Sequence, residues 1–276
     1  MENKEQVIVS LTTYSNRIGN IPVVLDSIFA QTRTPDKVVL NLAHEEVIPE
    51  DVQRYIDFHS IEINRVSDTK VYKKLIPTLK KYPDDCIITI DDDFIYPSGM
   101  IEDFVSVHNQ YPEFPISGNR DVFFGFQCHC GCASLTKACY LGSYLNSIDD
   151  DVIKNCPSDD IVYTYFSIKN GHPYVRTCDL YFTNMQSYND GNGYTLSNGG
   201  VDSISKSYNY LVSRFGNLPD HISDYIKDGH IARLVTDILL TKGRQEGRDE
   251  IFSSKTYKLG SRILKPVRSI VDLFCK

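Results

Sequence analysis

Cys86-Ile87-Ile88-Thr89-Ile90-Asp91-Asp92-Asp93 runs an apolar, strand-like segment directly into three consecutive carboxylates. Ile87, Ile88 and Ile90 are β-branched and show no polar alternation, which fits a strand covered on both faces. Strand alternation would send Asp91 and Asp93 to one side and Asp92 to the other. Three adjacent carboxylates repel one another unless a cation or hydrogen bonds compensate. A hard divalent ion with oxygen ligands supplies that compensation, and such ions also bridge phosphates. The plain alternative is a solvated acidic turn, but such a turn seldom ends so apolar a strand.

Upstream of this stretch, strand-like and helix-like segments alternate. Val7, Ile8, Val9, Ser10 and Leu11 read as a first buried strand. Ile21, Val24, Leu25, Ile28 and Phe29 keep helical spacing, with Asn20 as an N-cap and Pro22 in the first turn. Residues 37–42 and 61–66 read as further strands, and residues 49–59 as a short helix. Residues 70–82 align Val71, Leu75, Leu79 and Tyr82 on one helical face, but Pro77 predicts a kink or a split. Residues 86–90 make the fourth strand. This alternation predicts an α/β fold with a mostly parallel central sheet. Ligands of such sheets sit beyond the carboxyl ends of the strands, where the three Asp residues lie.

Past residue 113 the pattern weakens. Residues 123–132 read as extended, and residues 158–170 as a helix ended by Gly171. Residues 184–200 read as a loop, and residues 202–215 and 220–242 as helices. The expected organisation is one main domain over 1–200, in two parts, 1–97 and 98–200. A helical extension over 201–276 follows. Its last part, 256–276, interleaves Arg262, Lys265, Arg268 and Lys276 with apolar residues. That pattern suits a peripheral membrane contact through an amphipathic segment, or equally a helix docked on the chain's own surface.

The chain has 276 residues, of which 41% are hydrophobic and 24% charged, so a folded domain is expected rather than disorder. A net charge of −7 excludes a broad nucleic-acid footprint. No stretch is apolar enough to cross a membrane, and the polar N-terminal residues do not read as a signal peptide. Eight Cys residues without such a signal are expected to be reduced thiols of a cytoplasmic protein.

Two further clusters carry candidate chemistry. Cys156-Pro157-Ser158-Asp159-Asp160 sets paired carboxylates at a helix start, where like charge pushes one proton affinity upward and suits a general base. Simple helix capping by Ser158 or Asp159 is the alternative. Cys128-His129-Cys130-Gly131-Cys132 has one-residue gaps, shorter than the usual zinc pairs, and reads as buried thiols along a strand. Gly131 would let a bound molecule, such as a substrate, approach the backbone closely.

The opening Val9-Ser10-Leu11-Thr12-Thr13-Tyr14 with Arg17, the Gln31-Thr32 and Pro35-Asp36-Lys37 junction, Lys73-Lys74-Leu75-Ile76-Pro77 and Asp91-Asp92-Asp93 together resemble GT-A fold glycosyltransferases. The likeness, over roughly residues 7–200, is to the family 2-like group that builds bacterial capsule and O-antigen polysaccharides. It implies a metal-dependent, inverting glycosyltransferase of the hexosyltransferase type. Such an enzyme moves a sugar from a nucleotide diphosphate sugar, a UDP-sugar first, to a glycan acceptor carried on a lipid, at the inner face of the cell membrane.

By the same resemblance Thr12, Thr13 and Tyr14 hold base and ribose, while Arg17, Asp68, Lys74, Asp91 and Asp92 also line the donor site. Asp93 and Asp91 bind Mn2+ or Mg2+, and Asp160, supported by Asp159, is the base. Two rivals stay open. A sugar-1-phosphate nucleotidyltransferase would share the layered plan but normally carries a Gly-rich basic loop after the first strand. A catalytically inactive carbohydrate-binding module on the same fold would retain the scaffold without turnover.

Overall fold

In the computed structural model the described residues are 5–118, 122–123, 126–177, 186–187 and 200–218. All belong to a compact unit, Met1–Asp220. A second unit, His221–Lys276, falls outside them, as do the helix expected at 220–242, the basic tail and most of the loop at 184–200.

In chain order the elements are β1 (Val7–Thr12), α1 (Ile21–Phe29), β2 (Lys37–Ala43), α2 (Glu50–Phe58), β3 (Glu62–Val66), α3 (Ile76–Lys81) and β4 (Cys86–Ile90). Then come β5 (Phe94–Ile95), α4 (Met100–Gln110), β6 (Ile116–Ser117), β7 (Val122–Phe123), β8 (Phe126–Gln127) and β9 (Ala133–Thr136). The last are α5 (Ala138–Leu141), α6 (Asp150–Asn155), α7 (Asp159–Lys169), β10 (Val175–Arg176), β11 (Gln186–Ser187) and α8 (Gly200–Phe215).

The main sheet has seven strands in the order β10-β6-β9-β4-β1-β2-β3. β1 pairs in parallel with β2 and β4, and β2 in parallel with β3. β9 runs antiparallel between β4 and β6. The mostly parallel α/β sheet is thus present, and the four expected strands are adjacent in it, running from its centre at β4 to its edge at β3. Ile8, Val9 and Leu11 of β1 and Ile87, Ile88 and Ile90 of β4 are fully buried, because both faces of these strands are covered. Each such side chain contributes about 1.5–3 kcal/mol of burial free energy.

The Pro77 split occurs. A 3-10 helix over Lys70–Lys74 ends at Leu75, and α3 begins with Pro77 in its first turn. Asn20 stands at the N-cap position of α1, with Pro22 in the first turn as expected, but it also closes a short 3-10 turn and its side chain makes no capping bond. The Cys run is not a continuous strand. The segment from Cys128 to Cys132 is a loop and turn between β8 and β9, so strand alternation does not govern its side chains.

α7 is buried on almost every side, as a helix between two layers must be. Tyr165 Oη donates to the Leu211 carbonyl (3.3 Å) and Ser158 N to Ser207 Oγ (3.1 Å), which ties α7 to α8. Among the described residues, no helix is long and apolar enough to cross a membrane.

Candidate active site

β4 stops at Ile90, so Asp91, Asp92 and Asp93 form a turn and not a continuation of the strand. The alternation argument therefore does not apply, yet the turn still sets Asp92 apart. Its side chain is 7% exposed, against 33% for Asp91 and 26% for Asp93. Asp92 accepts a bond from Thr13 Oγ1 (2.6 Å) and pairs with Arg17 Nη2 at 3.2 Å. The same Arg17 nitrogen also pairs with Asp93. Burial pushes the Asp92 carboxyl up to about 6, against the pull of Thr13 and Arg17. Burial, then the charge of Asp91, also raises Asp93.

Asp91 turns the other way. It accepts from Lys74 Nζ at 2.7 Å, while its backbone N–H donates to Tyr96 Oη at 2.8 Å. The Lys74 backbone is anchored from beneath. Ser10 Oγ donates to the Lys74 carbonyl (2.5 Å), and Asn41 Nδ2 donates to Ser10 Oγ (3.0 Å) and to Thr78 Oγ1 (2.9 Å). Ser10, Asn41 and Thr78 are buried, so this polar network fixes the lysine against β1 and β2.

Lys74 also faces the start of α7. Burial works against its charge, but Asp91, Asp159 and Asp160 outweigh it and hold the ammonium well above its usual range. Asp160 Oδ1 accepts the Gly131 backbone N–H at 2.9 Å. The Asp160 carbonyl accepts from Thr164 Oγ1 (2.7 Å), which in turn accepts the His129 N–H (2.8 Å). Burial and the neighbouring Asp159 push Asp160 well above the carboxylate range, and burial also raises Asp159. Asp159 Oδ2, Tyr163 Oη and His129 Nε2 are buried without a hydrogen-bond partner. Burial and the charge of Lys74 keep the His129 imidazole neutral.

The structure thus gathers Thr13, Arg17, Lys74, Asp91, Asp92, Asp93, Asp159 and Asp160 into one polar cluster. Tyr14 joins its edge, with the Arg17 guanidinium 5.9 Å from its ring centre. The Thr12 hydroxyl donates to the Asn41 carbonyl (2.7 Å) at the end of β1. Asp68 is bonded to Lys73 and to the Lys70 N–H, and no bond or ion pair joins it to the carboxylate cluster among the described residues.

Residues the sequence did not single out also build the site: Ser10, Asn41 and Thr78 beneath Lys74, and Tyr96 behind Asp91. Gly131 serves differently than expected. Its Cα face is taken up by the chain's own Lys74, leaving no room there for an acceptor. Nearby, the Cys130 and Cys132 sulfurs lie 2.7 Å apart and both are buried.

The donor set suits a hard dication. Asp91 and Asp93 offer only carboxylate oxygens, they are the exposed members of the triplet, and each is now countered by a cationic side chain. Fold and site together define a GT-A-like α/β scaffold with an acidic cluster at the carboxyl end of its central strands. Among solved structures, a mannosyltransferase from Pyrobaculum calidifontis in complex with GDP-Man and Mn2+ shares this fold. It is 15% identical, covering 97% of this chain and 76% of its own, with a TM-score of 0.57. Weaker likenesses are to S. aureus TarS (10% identity, 91% and 45% coverage, TM-score 0.48) and to a 4-diphosphocytidyl-2C-methyl-D-erythritol synthase (12% identity, 69% and 96% coverage, TM-score 0.44). No family model and no curated protein matches the chain.

Proposed function

We propose that this chain is a metal-dependent glycosyltransferase that moves a sugar from a nucleotide diphosphate sugar to a glycan acceptor, with inversion at the anomeric carbon. One observation carries the reading. Lys74 joins the Asp91 carboxylate at the end of β4 to the Asp159 and Asp160 pair at the start of α7, so donor-side and acceptor-side acids form one cluster.

Asp91 and Asp93 would hold Mn2+ or Mg2+, which when bound neutralises charge on the leaving diphosphate. Thr13 and Arg17 fix Asp92, and through Arg17 they orient Asp93. Thr12 and Tyr14, at the end of β1, would hold base and ribose, with Asp68 a more peripheral donor-side group. Asp160, oriented by Gly131, takes the proton of the acceptor hydroxyl as that oxygen bonds to the anomeric carbon and the bond to the diphosphate breaks. Asp159 keeps the proton affinity of the pair high.

The Arg17 guanidinium is bound to two carboxylates and not presented to a triphosphate, which speaks against the nucleotidyltransferase alternative. A lipid-linked acceptor in capsule or O-antigen assembly, reached at the inner membrane face through residues 256–276, completes the proposal.

The test is a screen of UDP- and GDP-sugars for nucleotide release and glycan extension with Mn2+ or Mg2+. Asp93→Ala should abolish transfer and weaken nucleotide binding. Asp160→Asn should abolish transfer while keeping nucleotide binding. Full turnover in either variant, or in excess chelator, would refute the mechanism. Donor-dependent thermal protection without turnover on any acceptor would favour a binding module.

A further inference from the structure

At the opposite end of β4 from the aspartates, three unlike ligand groups meet. Glu5 lies just before β1, Cys86 opens β4, and His108 sits in the last turn of α4. A carboxylate oxygen, a sulfur and a ring nitrogen from these residues all lie within 4.8 Å of one another, the one such grouping among the described residues. Cys86 and His108 are buried and Glu5 opens to solvent.

Hydrogen-bond arithmetic around His108 leaves a gap. Tyr140 Oη donates its only proton to the Pro112 carbonyl at 2.6 Å. Toward His108 Nδ1, 3.4 Å away, it can therefore only accept, which requires the ring hydrogen on Nδ1. In a neutral ring Nε2 then carries a lone pair, and it faces Glu5 Oε2 at 3.3 Å. A carboxylate oxygen has only lone pairs to offer, so two acceptors oppose each other. Moving the hydrogen to Nε2 repairs this contact and breaks the one to Tyr140. A second ring proton would satisfy both, but burial disfavours the charged ring; a cation between Nε2 and Oε2 satisfies both with the imidazole neutral. The surroundings already have the form of an outer shell: Lys137 holds the other Glu5 oxygen, and Tyr140 orients the imidazole.

We infer that Glu5 Oε2, Cys86 Sγ and His108 Nε2 form a binding site for a borderline divalent ion of the zinc class, separate from the carboxylate cluster. Mixed O, S and N donors select such an ion over Mg2+ or Ca2+. Zinc bonds of about 2.0–2.3 Å place tetrahedral donors about 3.3–3.8 Å apart, so the three atoms need to close by only about 1 Å. Binding displaces the Cys86 thiol proton to solvent, leaving a thiolate ligand. The ion would tie the segment before β1 to β4 and α4, a structural role far from the chemistry.

Cobalt(II) titration of the metal-stripped full chain reads this site directly through a thiolate-to-cobalt charge-transfer band. The wild type should develop the band at about one equivalent and lose it on adding Zn2+. Cys86→Ser should lack it, while Cys132→Ser and Asp93→Ala should keep it. A wild type with no band, as a proton shared between His108 and Glu5 would give, overturns the inference. So does a band that survives in Cys86→Ser. Should Cys86→Ser fail to fold, Tyr140→Phe serves instead. Loss of the Nδ1 partner should weaken zinc affinity about 10-fold or more in competition with a chromophoric chelator. Unchanged affinity in that variant counts against the site.

Discussion

Lys74 and Gly131 occupy adjoining space that no larger residue at position 131 could share. A β-carbon there would overlap Lys74 Nζ and stand 3.2 Å from Asp160 Oδ1. The glycine therefore lets one ammonium reach Asp91 and the Asp159, Asp160 pair while its own N–H fixes Asp160. Gly131→Ala should fold, because the overlapping atom is the end of a long side chain. Its kcat/KM should nevertheless fall by about 100-fold, as expected when catalytic groups move by about 1 Å. Transfer assays beside a circular dichroism melt check this; wild-type turnover would show that the contact has no role.

Lys74 is the central counter-charge of the cluster. Lys74→Met strips the buried Asp159, its neighbour Asp160 and the partly exposed Asp91 of their shared counter-charge and should cost about 3–5 kcal/mol. The sign of its pH dependence follows from charge. Protonating the acids relieves the repulsion, so the loss should shrink as pH falls and grow as pH rises. Urea unfolding of wild type and variant at pH 5 and pH 8 measures it. A pH-independent loss would mean that only packing was removed.

Asp92 makes a second linkage prediction. Its carboxyl is raised from 3.8 to about 6 in the folded chain. Below the lower value both folded and unfolded forms are protonated. Between the two values only the folded form holds the proton, so the contribution to stability falls as pH rises through this window and is flat above it. The span corresponds to about 3 kcal/mol. Asp92→Asn cannot titrate, and its oxygen can still accept from Thr13. Its stability should therefore rise relative to wild type between pH 4 and pH 7, by an amount of that order. Equal pH profiles of the unfolding free energy would contradict the burial of this acid.

Much of residues 1–97 is readable from sequence because the signals there are local. Uninterrupted β-branched runs define β1 and β4, helical spacing defines α1, and Pro77 marks the split between Lys74 and α3. The Asp91-Asp92-Asp93 turn and the Asp159, Asp160 pair are likewise visible as runs of carboxylates. What sequence hides is partnership across the chain. Nothing local ties Lys74 to Asp91 while Lys73 takes Asp68, since the two lysines are buried neighbours and a 3-10 turn decides which acid each one meets. Ser10, Asn41 and Thr78 look like ordinary polar residues until the parallel pairing of β1 with β2 and the packing of α3 against β2 bring them beneath Lys74. The Cys run misleads for a related reason: alternation presumes a strand, and the chain turns there before β9 begins.

Arg17 offers the sharpest test of how the acidic turn handles cations. Its guanidinium holds Asp92 and Asp93 together, so it occupies the oxygens that a dication would use on Asp93. Arg17→Ala removes a competitor and at the same time leaves two carboxylates uncompensated. Both effects favour ion binding to the folded chain. Manganese should therefore raise the melting temperature of Arg17→Ala more than that of wild type, with a lower half-saturating concentration, because an ion bound only by the folded form stabilises it by mass action. Asp93→Ala in the same background should erase the difference. Thermal-shift titrations with Mn2+ over the three chains decide the matter. A shift equal to or smaller than that of wild type would mean that Arg17 helps to build the ion's site instead of guarding it.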